Sequence, residues 1–183
     1  MATKKRIWYE GAIYHVTARG SHRNEIFRDE DDFKTYLNLL KEALEYYEEF
    51  NYKIICYCLM GNHIHLLLKT GSQPLGNFVS RVNSIYAKGF NKKYEYTGHL
   101  FQDRYFSELI KDDVQLLEAS RYVHLNPVKA NIVSKPERYR WSSYAVFIGK
   151  SESGITNSEV ILEYFKHRNK HKGYKEFVEQ RII

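Results

Sequence analysis

Polarity alternates from Ala12 to Arg19. Ala12, Tyr14, Val16 and Ala18 fall on one side, and Ile13, His15, Thr17 and Arg19 on the other. A period of two sends neighbouring side chains to opposite faces, so a half-buried strand is expected here. From Asp29 to Phe50 the period changes. Phe33, Tyr36, Leu37, Leu40, Leu44 and Tyr47 form one apolar helical stripe, and the acidic start Asp29-Glu30-Asp31-Asp32 suits the positive end of a helix. Two strands follow, Tyr52 to Leu59 and His63 to Lys69, joined as a hairpin through Gly61-Asn62. After a loop at 71–74, Leu75, Phe78, Val79, Val82, Ile85 and Tyr86 predict a second helix ending near Gly89, with a basic loop from Asn91 to Gly98. Arg104 to Ile110 reads as a fourth strand. Asp112 to Asn126 reads as a third helix, which Pro127 is expected to stop.

The order strand, helix, strand, strand, helix, strand is that of an α+β, ferredoxin-like split βαβ antiparallel sheet, in which the third strand is central and lies beside the first. Beyond Asn131 the pattern weakens. Trp141 to Ile148, Ser158 to Phe165 and Tyr174 to Gln180 predict short helices. The chain therefore divides into a main domain, 1–145, and a helical C-terminal extension, 146–183, expected to pack on the same domain. It shows neither internal repeats nor low-complexity segments.

With 183 residues the chain can bury a proper core. A net charge of +6 points to a polyanionic partner, nucleic acid first. No apolar run approaches the roughly 18–20 residues of a membrane span. The basic start Met1 to Arg6 is not followed by an apolar stretch, so no secretory signal is expected and the placement is cytoplasmic, at the nucleoid. Cys56 and Cys58, two apart on one strand, suit buried free thiols better than a disulfide. Because there are 16 tyrosines, residue type alone singles out none of them as catalytic.

The chemistry concentrates at His63-Ile64-His65. On a strand the two imidazoles share a face, a common way to seat a divalent metal or bracket a phosphate. At about 100° per residue, Gln115, Glu118, Tyr122 and Asn126 share one stripe of the third helix, and Tyr122 and Asn126 sit one above the other. A phenol and an amide oxygen beside two imidazoles make a metal-plus-nucleophile site. His63, His65 and Asn126 add no negative charge to the ion, which keeps its Lewis acidity toward a phosphate oxygen. Mg²⁺ or Mn²⁺ suits such a substrate, and imidazole favours Mn²⁺. His124, on the far side of this helix, is expected to be structural or on the surface.

Four segments occur in order: Tyr14-His15-Val16-Thr17-Ala18-Arg19-Gly20; Cys58-Leu59-Met60-Gly61-Asn62-His63-Ile64-His65-Leu66-Leu67; Gly98-His99-Leu100-Phe101-Gln102-Asp103-Arg104-Tyr105; and Tyr122-Val123-His124-Leu125-Asn126-Pro127-Val128-Lys129-Ala130. Together they resemble the single-tyrosine HUH transposases, specifically the REP-associated branch, over about residues 8 to 145. The resemblance implies the HUH nuclease fold. It also implies metal-dependent, site-specific cutting and strand transfer of single-stranded DNA at hairpins, through a 5′-phosphotyrosine and a free 3′-OH. On it, His63 and His65 match the metal ligands and Tyr122 the nucleophile. Asn126 matches a third ligand that is Gln in other relatives.

His15, Arg19, Arg23, Asn24 and Arg104 are the candidate DNA contacts, with single-stranded or hairpin DNA as the partner of a monomer or homodimer. The basic run Lys166 to Lys172 adds salt-sensitive affinity at most. Two other functions fit the same scaffold. One is a non-catalytic nucleic-acid-binding domain, against which the histidines stand where stacking aromatics belong. The other is a metal phosphoesterase that uses water.

Overall fold

The computed structural model describes residues 7–152, 154–166 and 169–182. The basic start Met1 to Arg6 and the His167-Arg168 part of the basic run lie outside the described residues. Four strands, β1 (Ile13–Arg19), β2 (Lys53–Met60), β3 (His63–Lys69) and β4 (Phe106–Leu109), form an antiparallel sheet in the order β2-β3-β1-β4. This is the expected split βαβ arrangement, with β3 beside β1 at the centre.

Each face of the sheet carries its own core. Ala12, Tyr14, Val16, Ala18, Ile64, Leu66 and Leu68 pack under α1 (Glu30–Tyr46) and α2 (Leu75–Tyr94). On the opposite face, Cys56, Cys58 and Leu67 pack against α3 (Asp113–Lys129) and the short helices α4 (Tyr144–Phe147), α5 (Glu159–Leu162) and α6 (Lys170–Glu179). The expected division at 145/146 falls inside α4. Both cysteines are buried and free. Among the described residues no helix is long and apolar enough to cross a membrane.

Several helix ends differ from the sequence expectation: α4 begins at Tyr144 instead of Trp141, α5 ends at Leu162 instead of Phe165 and α6 begins at Lys170 instead of Tyr174. α1 begins with a capping box, in which Asp29 accepts from the Asp32 amide, but it stops at Tyr46 instead of Phe50. A separate 3-10 turn, Glu48–Phe50, closes on Asn51, whose φ is +55°. α2 runs past Gly89 to Tyr94, so 91–94 is helix instead of loop. Gly89 costs about 1 kcal/mol against Ala, but Phe90 is buried, its ring lies 4.6 Å from Tyr94, and Lys93 pairs with Asp29 (2.7 Å) and Asp32 (2.8 Å). α3 runs through Pro127 to Lys129. The proline removes a single N–H close to the helix end, and the carbonyls of Asn126 and Pro127 are taken by Ala130 N–H (2.9 Å) and Ile132 N–H (2.9 Å). β4 is also shorter than the expected Arg104 to Ile110.

A polar network ties α3 to the C-terminal helices. His124 is wholly buried; its Nδ1 lies 2.7 Å from the Tyr174 hydroxyl and its Nε2 2.9 Å from Ser143 Oγ. Burial pushes its pKa down to about 3. Its folded pKa is thus below the unfolded value of about 6.5, so between these values the unfolded chain binds more protons and stability falls as pH drops. Across pH 6.5 to 5 we expect His124 to contribute a loss of up to about 1.4 kcal/mol per pH unit, absent from His124→Gln. Urea unfolding at stepped pH checks this, and an equal slope in the two proteins would contradict it.

Candidate active site

Strand register fixes the histidine face. Thr17 lies opposite His65 and Arg19 opposite His63, so these four side chains share the α3 side of the sheet. The turn that launches β3 is held by backbone bonds: Gly20 N–H to Asn62 O (2.9 Å), and Ile26 and Phe27 N–H to Gly61 O (2.8 and 3.0 Å). Gly20 is needed for this close approach, since a Cβ there would lie 2.1 Å from Asn24 O. The His63 and His65 rings stand 4.9 Å apart at 85°.

α3 delivers Tyr122 to this face. Its ring lies 5.5 Å from that of His65 and 5.7 Å from that of His15, edge-on to both. It is 41% exposed, so the ring is available to a substrate. Lys129, two turns on, holds its Nζ 4.7 Å from the Tyr122 ring centre. These groups open onto a cavity of about 830 Å³ lined by His15, Thr17, Arg19, His65, Arg104, Gln115, Glu118, Tyr122, Lys129 and Arg181, among others. Basic side chains outnumber acidic ones on its wall, which suits a phosphate chain.

The structure brings His15, Arg19, His65, Arg104 and Tyr122 together on this cavity. His63 and Asn126 do not line it, nor do Arg23 and Asn24. Arg23 and Asn24 lie in and just after the 3-10 turn Ser21–Arg23, where the Arg23 carbonyl accepts from Asn62 Nδ2 (3.2 Å) beside the start of β3. Asn126 is buried one turn beyond Tyr122, its Nδ2 donating to the Tyr122 carbonyl (2.8 Å), which leaves Oδ1 as its acceptor atom. Of the two expected placements of His124, structural or on the surface, its full burial gives the structural one. Phe106, Lys129 and Arg181 also line the wall and are not among the sequence-derived candidates. Phe106, 65% exposed, stands opposite Thr17 on β4, a position the period of two would have given. Lys129 lies seven residues from Tyr122, on the same helix face. Arg181 carried no comparable signal.

The donor set fits a divalent cation in its hydrogen bonding. His63 Nδ1 lies 2.5 Å from Asn62 Oδ1; an amide oxygen only accepts, so this nitrogen carries the proton and Nε2 keeps its lone pair. His65 Nδ1 lies 3.0 Å from His15 Nε2 and 3.4 Å from Thr17 Oγ1, while its Nε2 is buried with no hydrogen-bond partner among the described residues. Both imidazoles thus spend Nδ1 inside the protein, as metal-ligating histidines do. Burial lowers the pKa of His63 to about 4, with Arg19 adding to the effect. Burial lowers that of His65 as well, reinforced by His15, His63 and Arg19. Both rings are neutral near pH 7, the form that binds a metal. Among the described residues no cluster of three or more His, Cys, Asp or Glu forms a metal site. A third protein donor would have to come from a neutral group such as Asn126.

The model of the IS200-like transposases matches residues 9–126, well over half of the chain. The chain belongs to this transposase family. Its type of enzyme is the HUH tyrosine transposase. The transposase is 25% identical over 157 residues to a Haemophilus influenzae protein named as a REP-associated tyrosine transposase, covering 79% of this chain and 86% of that one. Its fold is similar to the solved structure of a REP-associated tyrosine transposase bound to a REP hairpin. The TM-score is 0.67 at 12% identity, with 86% of this chain and 98% of the other covered.

Proposed function

We propose that this transposase cuts and rejoins single-stranded DNA at hairpin or palindromic sites, with Tyr122 as nucleophile. The observation that carries this reading is the Tyr122 ring 5.5 Å from His65 on an open, basic-walled cavity. Tyr122 Oη attacks the scissile phosphorus as the bond from phosphorus to the 3′ oxygen breaks. The phenolic proton is lost, the departing oxygen takes one up as a free 3′-OH, and the 5′ phosphate remains on the tyrosine. The new phosphodiester keeps the bond energy needed for rejoining. Attack by a 3′-OH on this linkage reverses the same bonds.

His63 Nε2, His65 Nε2 and Asn126 Oδ1 are the atoms that would hold Mg²⁺ or Mn²⁺. Such an ion supplies Lewis acidity toward a non-bridging phosphate oxygen. Arg19 and Arg104 grip the phosphate chain in the cavity, and Arg23 and Asn24 extend that grip along the 3-10 turn that follows β1. Phe106 offers an aromatic face on which an unpaired base can stack. Tyr122 lies 5.5 Å, ring to ring, from His65 of its own chain, which supports cutting within one subunit. The catalytic unit is 1–145, and 146–183 braces α3 from behind through the Tyr174–His124 contact.

The relative named for REP association and the hairpin-bound structure support the choice of substrate. The test is incubation with labelled single-stranded hairpin DNA and Mn²⁺, followed by a denaturing gel. A protein–DNA adduct that survives denaturation is expected. Cleavage without adduct would instead indicate water as nucleophile, and binding without cleavage across a range of hairpins a non-catalytic binder.

A further inference from the structure

His15 was expected to contact DNA, yet its best-defined contact is internal. Its Nε2 lies 3.0 Å from His65 Nδ1, and the two rings stack at 5.2 Å with their planes 20° apart. His65 is 4% exposed and its other ring nitrogen is the buried atom without a partner. On the far side of His15, Glu108 of β4 is its cross-strand neighbour, and the Glu108 carboxylate acts electrostatically on the His15 ring.

One proton between two ring nitrogens can sit on either. If His15 held it on Nε2, His65 Nδ1 would accept, and the neutral His65 would carry its own proton on the buried Nε2, a donor with nothing to donate to. If His65 holds it on Nδ1, that donor is satisfied, Nε2 presents a lone pair, and the remaining His15 proton sits on Nδ1. A neighbouring carboxylate favours an N–H on the outer nitrogen over a bare lone pair. Thr17 Oγ1, 3.4 Å from His65 Nδ1, is a second and longer acceptor for the same N–H. His63 already shows this arrangement, its Nδ1 tied to Asn62 Oδ1.

We propose that His15 is a positioning residue: its Nε2 accepts the Nδ1 proton of His65, fixing the ring and tautomer that turn the His65 Nε2 lone pair toward a divalent cation. His15 thus stands behind the ligand, as carboxylates and carbonyls commonly do behind metal-bound histidines. The metal half of this inference rests on the cation reading of the site, and the tautomer half does not.

The experiment has two readouts on the full chain. Long-range proton–nitrogen NMR correlations of the metal-free protein report which His65 nitrogen is protonated. The Nδ1–H form is expected in the wild type, with Nε2–H growing in His15→Phe, whose ring stacks but cannot accept. His15→Gln, which offers an amide oxygen, should restore Nδ1–H. Mn²⁺ titration followed by electron paramagnetic resonance should then show affinity lowered about 10–100-fold in His15→Phe and largely recovered in His15→Gln. A His65 protonated on Nε2 in the wild type would overturn the proposal, as would a His15→Phe that keeps both tautomer and Mn²⁺ affinity. If the tautomers behave as expected but the wild type takes up no Mn²⁺, it is the cation reading that fails. Should His15→Phe not fold, the wild-type tautomer alone decides.

Discussion

Tyr122→Phe is expected to abolish both the covalent adduct and strand cutting, by at least about 10⁴-fold, because removing a covalent nucleophile removes the reaction path itself. The substitution takes away one oxygen. The ring that meets His15 and His65 edge-on and carries Lys129 over its face is retained. Tyr122 is partly exposed and its hydroxyl holds no hydrogen bond within the fold among the described residues, so thermal stability should move by no more than about 2 °C. Hairpin affinity should be unchanged within a few-fold. Quantitative denaturing gels with labelled hairpin, together with thermal unfolding, check this. Cutting that persists at the wild-type rate would remove Tyr122 from the chemistry.

His63→Ala is expected to have the next largest effect. A Lewis acid on the scissile phosphate supplies several kcal/mol of transition-state stabilisation, so cutting should fall at least about a hundredfold at fixed Mn²⁺. Binding should stay within about tenfold, because phosphate contacts from the basic wall dominate affinity. His63 is the safer of the two histidines to remove. It is only partly buried, at the start of β3, whereas His65 lies deep in the strand among the His15 and Thr17 contacts. Cleavage rate and hairpin affinity measured on the same preparation separate the outcomes. Hairpin binding that collapses together with cutting, in a protein that is still folded, would mean that the histidines hold the DNA itself.

Much of the site was legible because it rests on short periods. A period of two placed His15, Thr17 and Arg19 on one face of β1 and paired the imidazoles on β3; the split βαβ order then brought those strands side by side. The helical period put Tyr122 on the stripe with Gln115 and Glu118, and all three line the cavity. What escaped depends on contacts between distant segments. Lys93 reaching back to Asp29 and Asp32 carries α2 beyond Gly89, and no local propensity reports that pair. A proline usually stops a helix, but Pro127 falls where little helix is left to break. The His15–His65 bond joins residues fifty apart, so composition and spacing could place both rings on one face without showing that one supports the other. His124 reads as an ordinary helix residue until Tyr174 and Ser143 arrive from the C-terminal segment to bury and satisfy it.

The phenol of Tyr122, and no other group, is expected to become bonded to DNA. Digestion of the gel-purified adduct with protease and nuclease, followed by mass spectrometry of the nucleotide-bearing peptide, reads out which residue carries it. A single modified peptide spanning Tyr122 is expected, with the phosphate on that tyrosine. A nucleotide found on any of the other tyrosines, or on no residue while the DNA is nonetheless cut, would contradict this expectation.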